Sequence, residues 1–280
     1  MKVKEIMTQD PIVAHVPGSR REALRLLITH NKTGLPVVNK KDGTYVGIVT
    51  RQMINAKPGE DQTALLLSKD YPVLSPGASL ERAASLMIER GVHHLAVLEK
   101  GHLVGILTPA DFLQAIEEMS LKTPVEEYAG TPCVPVYEGT PLPAVAAILN
   151  IAGVSALPVI DASGHLSGIV TDRDIFNLTF INGKVQMAEL GLGEEENPWT
   201  WEGIRNVLRL YYEVKHIELP KVPVKKVMTR HPVTAFRRTP VSKVARTMRI
   251  NDFGQIPLLD TKDRLIAMVY QMDILKALEK

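Results

Sequence analysis

The sequence holds a single cysteine, Cys133, among its 280 residues. One cysteine excludes an internal disulfide and a zinc site built on several thiolates, and it is typical of a reducing compartment. Long hydrophobic runs are also lacking, since the most apolar region, residues 144–160, is interrupted by Asn150, Gly153 and Pro158. Such a region is too broken to cross a bilayer. With no apolar leader in the first residues, we expect a cytoplasmic protein without membrane contact.

The sequence also lacks a marked excess of either positive or negative charge. The chain has 33 basic and 31 acidic residues, for a net charge of +2, so its bulk electrostatics do not favour nucleic acid as a partner. The sequence also contains no Walker A motif, no complete GxGxxG, no nucleophile elbow and no cluster of zinc ligands. We therefore expect neither an enzyme nor a metal or cofactor site.

What the sequence does contain is one unit repeated four times. The matching segments are "GLPVVNKKDGTYVGIVTRQMI" from Gly34, "HLAVLEKGHLVGILTPADFL" from His94, "ALPVIDASGHLSGIVTDRDIF" from Ala156 and "QIPLLDTKDRLIAMVYQMDIL" from Gln255. A short strand and an amphipathic helix precede each segment, and the segment itself reads as two strands joined by a tight turn, followed by a second helix. The predicted order is β-α-β-β-α.

The first helix of repeat two shows the helical pattern plainly. In "SLERAASLMIERG", Ser79 is a candidate N-cap, Gly91 a candidate stop, and the apolar residues recur on one face. The corresponding helices of repeats three and four are predicted to begin at Thr140-Pro141 and Thr239-Pro240. A unit of about 50–60 residues is small for an independent core, so the repeats should pair through their sheets.

This order and these residues resemble the CBS domain, an α/β (α+β) fold whose tandem pairs form Bateman modules. The resemblance implies repeats at residues 1–60, 61–120, 121–179 and 224–280, with an insertion at 180–223. Four repeats in one chain, together with "VSALPVID" from Val154 and "VHHLAVLE" from Val92, are similar to the γ subunits of AMP-activated protein kinase. In the insertion we expect a helix around residues 204–211, and we expect Trp199 and Trp201 to pin it to its own module.

A Thr-x-x-Asp motif follows the last strand of two repeats, as Thr108 with Asp111 and Thr171 with Asp174. Repeat four keeps Asp273 but has Tyr270 in place of the threonine. The motif is a capping box, in which the two side chains satisfy the first amides of a helix. The same residues could hold a ribose through the carboxylate and a phosphate through the hydroxyl and amides. Both interpretations can hold together.

The resemblance implies that each pocket is assembled across a pair of repeats. Thr108 and Asp111 would face Thr8, Ile12, Val13, Thr33 and Gly34. Thr171 and Asp174 would face Val233, Thr234, Phe253 and Gly254. Asp273 would face Thr131, Cys133, Val134, Val154, Ser155 and Ala156. Possible phosphate contacts are His93, His94, Arg51, Arg173, Arg237 and Arg238.

Repeat one departs from the motif, because Met53 follows Thr50 where an aspartate is expected. A pocket of Thr50 and Met53 facing His93 and His94 would lose one or two charge-assisted hydrogen bonds of about 1.5–3 kcal/mol each. We expect this pocket to be empty or weak. The two adjacent histidines should point to opposite faces of their strand, which excludes joint chelation of one metal ion.

Four arginines stand at the entries of helices: Arg20, Arg21, Arg237 and Arg238. Such residues are more often solvated charges, although the last two could also reach a polyphosphate.

The sequence therefore predicts a regulatory sensor that binds adenine nucleotides (AMP, ADP or ATP) and acts on a regulated protein partner or on its own homodimer. Two alternatives stay open. The ligand could be S-adenosylmethionine or a related adenosyl compound, or the chain could be an interaction scaffold that touches nucleic acid.

Overall fold

The computed structural model describes residues 1–30, 32–57, 59–175 and 219–279. The helix and the two tryptophans expected in the insertion lie outside these residues. Repeat one comprises β1 (Thr8–Gln9), β2 (Ala14–Val16), α1 (Arg20–Thr29), β3 (Gly34–Asn39), β4 (Tyr45–Thr50) and α2 (Arg51–Ala56). Repeat two comprises α3 (Thr63–Leu66), β5 (Val73–Leu74), α4 (Leu80–Arg90), β6 (Leu95–Glu99), β7 (His102–Leu107) and α5 (Leu113–Glu118).

The other two repeats follow the same order. Repeat three comprises β8 (Val136–Tyr137), α6 (Leu142–Ala152), β9 (Ala156–Ile160) and β10 (Leu166–Thr171), after which residues 172–175 are helical. Repeat four comprises β11 (Thr229–Arg230), β12 (Ala235–Phe236), α7 (Val241–Asn251), β13 (Gln255–Leu259), β14 (Leu265–Tyr270) and α8 (Gln271–Ile274). The predicted α/β repeats are thus confirmed.

Each repeat builds a small sheet in the same way. Its first long helix connects two parallel strands, as between β2 and β3, where Ala14 pairs with Val37. A tight turn then makes the next pair antiparallel, as between β3 and β4, where Gly34 pairs with Thr50. The sheet orders are β2-β3-β4, β1-β7-β6-β5, β11-β10-β9-β8 and β12-β13-β14.

Two short strands join neighbouring repeats into the expected pairs. β1 of repeat one pairs with β7 of repeat two, with Thr8 opposite Ile106. β11 of repeat four pairs with β10 of repeat three, with Thr229 opposite Ile169. Repeats one and two are also joined by an isolated β-bridge between Ser68 of repeat two and Ile48 of β4. The pairing that defines a Bateman module therefore rests on backbone hydrogen bonds as well as on packing.

The helices start and stop for local reasons. Ser79 accepts a hydrogen bond from the Arg82 amide at 3.2 Å, and Gly91 ends α4 in the left-handed region with φ of 59°. In repeats three and four the helix begins one residue later than predicted, because Pro141 and Pro240 hold extended backbone with ψ of 141° and 135°. The proline is therefore the residue that precedes the helix.

The chain divides into two compact units. The first comprises residues 1–128, 238–254 and 270–280, and the second comprises residues 129–237 and 255–269. A core cluster of the first unit contains Ala14, Ala23, Leu27, Leu35, Val37, Val49, Ile54 and Leu66. The core of the second unit contains Val136, Leu142, Val145, Leu149, Leu157, Val159, Val170, Val224 and Met228.

One predicted surface charge is instead buried. Arg20 was expected to be solvated, but only 8% of it is exposed. Its Nη1 donates to the carbonyl of Lys57 at 3.2 Å, and its backbone amide donates to the carbonyl of Asp61 at 2.7 Å. The connection between repeats one and two covers the start of α1 and supplies these acceptors. Arg237 and Arg238 are exposed, in agreement with the prediction.

Candidate functional site

The Thr-x-x-Asp motif of repeat two forms where β7 ends. Asp111 Oδ2 accepts hydrogen bonds from the Thr108 amide at 2.6 Å and from Thr108 Oγ1 at 2.8 Å. The capping interpretation is therefore correct for this motif. It occupies one carboxylate oxygen and holds the side chain in a fixed orientation.

The other oxygen of the same carboxylate faces repeat one. Thr8 Oγ1 lies 3.5 Å from Asp111 Oδ1, and Thr8 is placed there by the pairing of β1 with β7. Burial raises the pKa of the Asp111 carboxyl, an effect opposed by the hydrogen bonds from Thr108 and Thr8 and by the Lys32 ammonium. A carboxylate that is partly withdrawn from water gains more from a donor that reaches it than a fully hydrated one does.

A cavity of about 430 Å³ borders Asp111. Its volume is within the range of small-molecule sites. The side chains around it carry both signs of charge, with Glu5 and Asp111 against Arg249 of α7. Arg249 is held by Glu117 of α5, to which its Nε donates at 2.9 Å. Neither Glu5 nor Arg249 was predicted from the sequence, because no motif marks them.

The motif of repeat three has the same geometry. Asp174 Oδ2 accepts from the Thr171 amide and from Thr171 Oγ1, both at 2.8 Å, and the Asp174 amide donates to Thr171 Oγ1 at 3.3 Å. These bonds use Oδ2 and leave Oδ1 outside the capping box. Among the predicted partners in the same unit, Val233 and Thr234 are exposed, as is Arg173. Phe253 and Gly254 belong to the other unit, so their place in this pocket stays a prediction.

Asp273 is less accessible than its counterparts. Only 4% of Asp273 is exposed, its Oδ2 accepts from the Tyr270 amide at 3.0 Å, and Lys276 Nζ lies 4.0 Å from its Oδ1. Its predicted partners all lie in the second unit, whereas Asp273 lies in the first. A pocket that combines them stays a prediction.

Several of those partners have structural roles of their own. Val134 and Val154 pack against the core of the second unit. Ala156 is buried opposite Thr171, and the Ser155 carbonyl accepts from the Asp172 amide at 3.0 Å. Burial raises the pKa of the Cys133 thiol, so this half-buried group is a weak nucleophile. Thr131 is half-buried as well.

Repeat one keeps half of the capping box. Thr50 Oγ1 accepts a hydrogen bond from the Met53 amide at 3.2 Å. Met53 has no carboxylate, so it cannot accept a hydrogen bond from the Thr50 amide in return. The next residue, Arg51, uses its amide to bond the Thr33 carbonyl at 3.0 Å. The Asp172 amide makes the same bond to the Ser155 carbonyl at 3.0 Å, so the backbone is arranged as in repeat three, and the acid is missing.

The two histidines differ in burial, but neither lies on a strand as predicted, because β6 begins at Leu95. His93 is exposed, whereas only 6% of His94 is exposed. Burial lowers the pKa of His94 to about 4, so its ring is neutral at pH 7. His94 Nε2 lies 2.9 Å from Thr33 Oγ1. Thr33 and Gly34 were predicted to face Asp111, and the structure places both against His94.

Thr229 is a candidate that the motif alignment missed. It occupies in repeat four the position that Thr8 occupies in repeat one, since each begins a strand that crosses to the paired repeat. The signal is present in the sequence, as "IMTQDPIVA" from Ile6 and "VMTRHPVTA" from Val227. Asp10 and His231, two residues further on, both adopt positive φ, of 46° and 49°.

The described residues offer no metal centre and no membrane span. Among them, no group of three or more His, Cys, Asp or Glu side chains is arranged to hold a metal ion. In the same part of the chain, every helix is too short or too polar to cross a bilayer.

Comparison with known proteins supports the repeat structure. The family model of the CBS domain matches residues 3–56, 64–118, 125–179 and 224–280. Protein MJ1225 of Methanocaldococcus jannaschii is 28% identical over 190 residues, which cover 62% of this chain and 68% of that protein. A CBS domain-containing protein of Dictyostelium discoideum is 33% identical over 132 residues, which cover 47% of this chain and 74% of that protein.

Solved structures show the same architecture over the full length. A conserved protein from Pyrococcus horikoshii has a TM-score of 0.69 and 28% identity, with coverage of 99% of this chain and 100% of that one. The structure of MJ1225, described as a candidate archaeal homologue of the γ subunit of AMP-activated protein kinase, has a TM-score of 0.75 at 19% identity. It covers 99% of both chains, and at this identity the likeness extends to the fold.

Proposed function

The chain belongs to the CBS domain family, and on that premise we propose that it is a regulatory sensor that binds adenine nucleotides in clefts between paired repeats. The ligand class is AMP, ADP or ATP. The proposal depends most on one observation: Thr8 of the paired repeat approaches Asp111, and Asp111 also borders a cavity of about 430 Å³.

The Asp111 carboxylate suits a ribose. The 2′- and 3′-hydroxyls of a ribose are donors, and an ionised carboxylate only accepts. Oδ2 stays with Thr108, and Oδ1 is directed toward repeat one, where Thr8 is the nearest donor. A sugar hydroxyl can therefore replace or share this 3.5 Å contact without breaking the capping box. The cap pre-organises the carboxylate for the sugar, so both interpretations of the motif apply at once.

Charge and apolar surface near Asp111 support positions for the rest of the ligand. The half-buried side chains of Ile12 and Val13, which follow β1, offer aliphatic contact to the adenine ring. The Lys32 ammonium acts on the same carboxylate and offers a counter-charge to a phosphate. In this arrangement the base, the sugar and the phosphate each contact a different element of repeat one or two.

Regulation follows if the ligand binds two conformations unequally. A nucleotide between β1 and the start of the 109–112 turn contacts both repeats of one pair, so its affinity depends on how the two are arranged. Any such difference in affinity shifts the population of conformations, and a regulated protein or a second copy of the chain can respond to it.

One observation favours a second candidate ligand. The cavity beside Asp111 is lined by two carboxylates, those of Glu5 and Asp111, as well as by Arg249 and Met1. Because Arg249 already donates to Glu117, the second carboxylate, Glu5, favours a positively charged adenosyl compound such as S-adenosylmethionine as this candidate.

Calorimetric titration of the purified chain with AMP, ADP, ATP and S-adenosylmethionine tests both candidates. We expect saturable binding of at least one nucleotide, and we expect Asp111→Ala to remove one bound equivalent. Tighter binding of S-adenosylmethionine than of every nucleotide would select the second candidate. No binding of any of the four ligands at millimolar concentration would contradict the sensor function altogether.

A further inference from the structure

The contact between His94 and the turn at Thr33 and Gly34 joins repeat two to repeat one. His94 Nε2 lies 2.9 Å from Thr33 Oγ1. The ring also packs against Gly34 so closely that a Cβ built there would lie 2.9 Å from His94 Cε1 and 3.0 Å from its Nε2. In the aligned repeats Gly34 and His94 occupy the same position, so a residue without a side chain in one repeat accommodates the imidazole of the other.

The second ring nitrogen has no hydrogen-bond partner in the part of the chain that the structure describes. His94 Nδ1 is buried without a hydrogen bond among the described residues. A buried N–H without an acceptor costs more than a buried lone pair without a donor. The neutral ring therefore favours the tautomer that carries its proton on Nε2 and donates it to Thr33 Oγ1.

This protonation state does not suit a phosphate contact. A phosphate oxygen needs a donor, and in this tautomer the only ring N–H is already directed at Thr33. The unpartnered Nδ1 offers a lone pair, which would repel an anion. His94 was a possible phosphate contact on sequence grounds, and the geometry argues for a different role.

We propose that His94 is a positioning residue: a neutral tether that fixes the turn at Thr33 and Gly34 against the strand ends that carry Thr108 and Asp111. The proposal rests on the proposed function, because Thr33 and Gly34 of this turn are among the predicted nucleotide partners of Asp111. Leu95 pairs with Leu107, which places His94 next to Thr108 at the ends of β6 and β7.

The tether also fixes the charge that acts on Asp111. Lys32 immediately precedes Thr33, and its ammonium opposes, as the weakest of several causes, the rise of the Asp111 pKa that burial produces. If the turn is released, the position of Lys32 relative to this carboxylate should change. The nucleotide affinity of the Asp111 pocket should then fall.

The test compares Thr33→Val, Thr33→Ser and His94→Gln. Valine removes the hydroxyl and keeps the shape, whereas serine keeps the hydroxyl. We expect Thr33→Val and His94→Gln each to weaken AMP binding about tenfold in calorimetry, as loss of one hydrogen bond implies. Thr33→Ser should stay within about twofold of wild type, and Thr33→Val combined with His94→Gln should bind no worse than either alone.

Nitrogen-15 NMR of the histidine rings separates positioning from a general structural effect. We expect His94 to be the neutral Nε2–H tautomer in the wild type, to remain neutral when AMP is added, and to lose this signature in Thr33→Val. Wild-type affinity in Thr33→Val, or conversion of His94 to imidazolium on addition of AMP, would overturn the tether.

The two proposals fail in different ways. If the wild type binds none of the four adenosyl ligands, the sensor function is contradicted, and the tether is then decided by NMR alone. The Nε2–H signature in the wild type and its loss in Thr33→Val would still support the tether. An unchanged His94 spectrum in Thr33→Val would overturn it.

Discussion

Thr8 of repeat one and Asp111 of repeat two approach each other across a pair of repeats, with Thr8 Oγ1 3.5 Å from Asp111 Oδ1. The contact exists because β1 leaves its own repeat and pairs with β7. One oxygen of the Asp111 carboxylate thus caps its own turn, and the other oxygen faces the neighbouring repeat. This shared position allows one ligand to report on the arrangement of two repeats.

Restoring the missing acid of repeat one should create a binding site. Thr50 already accepts the Met53 amide at 3.2 Å, so Met53→Asp would complete a capping box like that of Thr108 and Asp111. We expect calorimetry of Met53→Asp to show one more bound nucleotide than the wild type. Met53→Asn, which lacks the charge, should add none. If Met53→Asp folds but binds no more nucleotide than the wild type, the missing aspartate is not what prevents binding at repeat one.

Thr229 should contribute to the Asp174 pocket as Thr8 does to the Asp111 pocket. Replacing Thr229 by valine removes the hydroxyl that we expect to serve the Asp174 pocket, so affinity should fall about two- to tenfold. Thr229→Ser should bind like the wild type. Measuring both variants in an Asp111→Ala background isolates the pocket of repeat three. Equal nucleotide affinities of Thr229→Val and Thr229→Ser would show that the Thr229 hydroxyl does not contribute to the site.

Gly34 should tolerate no side chain while His94 is present. A Cβ at Gly34 would lie within about 3 Å of the His94 ring, and overpacking of this kind costs about 1–3 kcal/mol of unfolding free energy. We expect Gly34→Ala to lower the urea midpoint, and the loss to be smaller in a His94→Ala background. Gly77→Ala is the control, because a Cβ there meets nothing within 4 Å. Equal losses with and without the imidazole would contradict the contact.

The burial of His94 predicts a dependence of stability on pH. The pKa of His94 is about 4 in the folded chain because burial penalises the charged ring, whereas an unfolded histidine has a pKa of about 6.5. Between these values the folded chain binds fewer protons, so its free energy of unfolding falls as the pH is lowered. The difference in unfolding free energy between the wild type and His94→Gln should therefore shrink from pH 7 to pH 5. A difference that grows over this range would show that His94 is charged when folded.

The sequence predicted the features that depend on local chemistry. The four repeats, the cap at Ser79, the stop at Gly91 and the Thr-Asp boxes are set by residues within a few positions of one another, and the structure contains them all. The different burial of His93 and His94 does not follow from strand geometry, because both residues precede β6.

The features that were missed depend on distant parts of the chain. β1 and β11 are two residues long, too short for a periodic pattern, and their partners lie in another repeat. Arg20 is buried by the connection between repeats, and Arg249 reaches the cavity beside Asp111 from α7. Only the match between "IMTQDPIVA" and "VMTRHPVTA" could have indicated Thr229 in advance.

The most direct test of the nucleotide-sensor account is the number of adenylates bound per chain, measured by calorimetry for the wild type and for Asp111→Ala, Asp174→Ala and Asp273→Ala. The account predicts that each of the three variants keeps its fold and loses one bound equivalent. An unchanged number of bound adenylates in all three variants would contradict it.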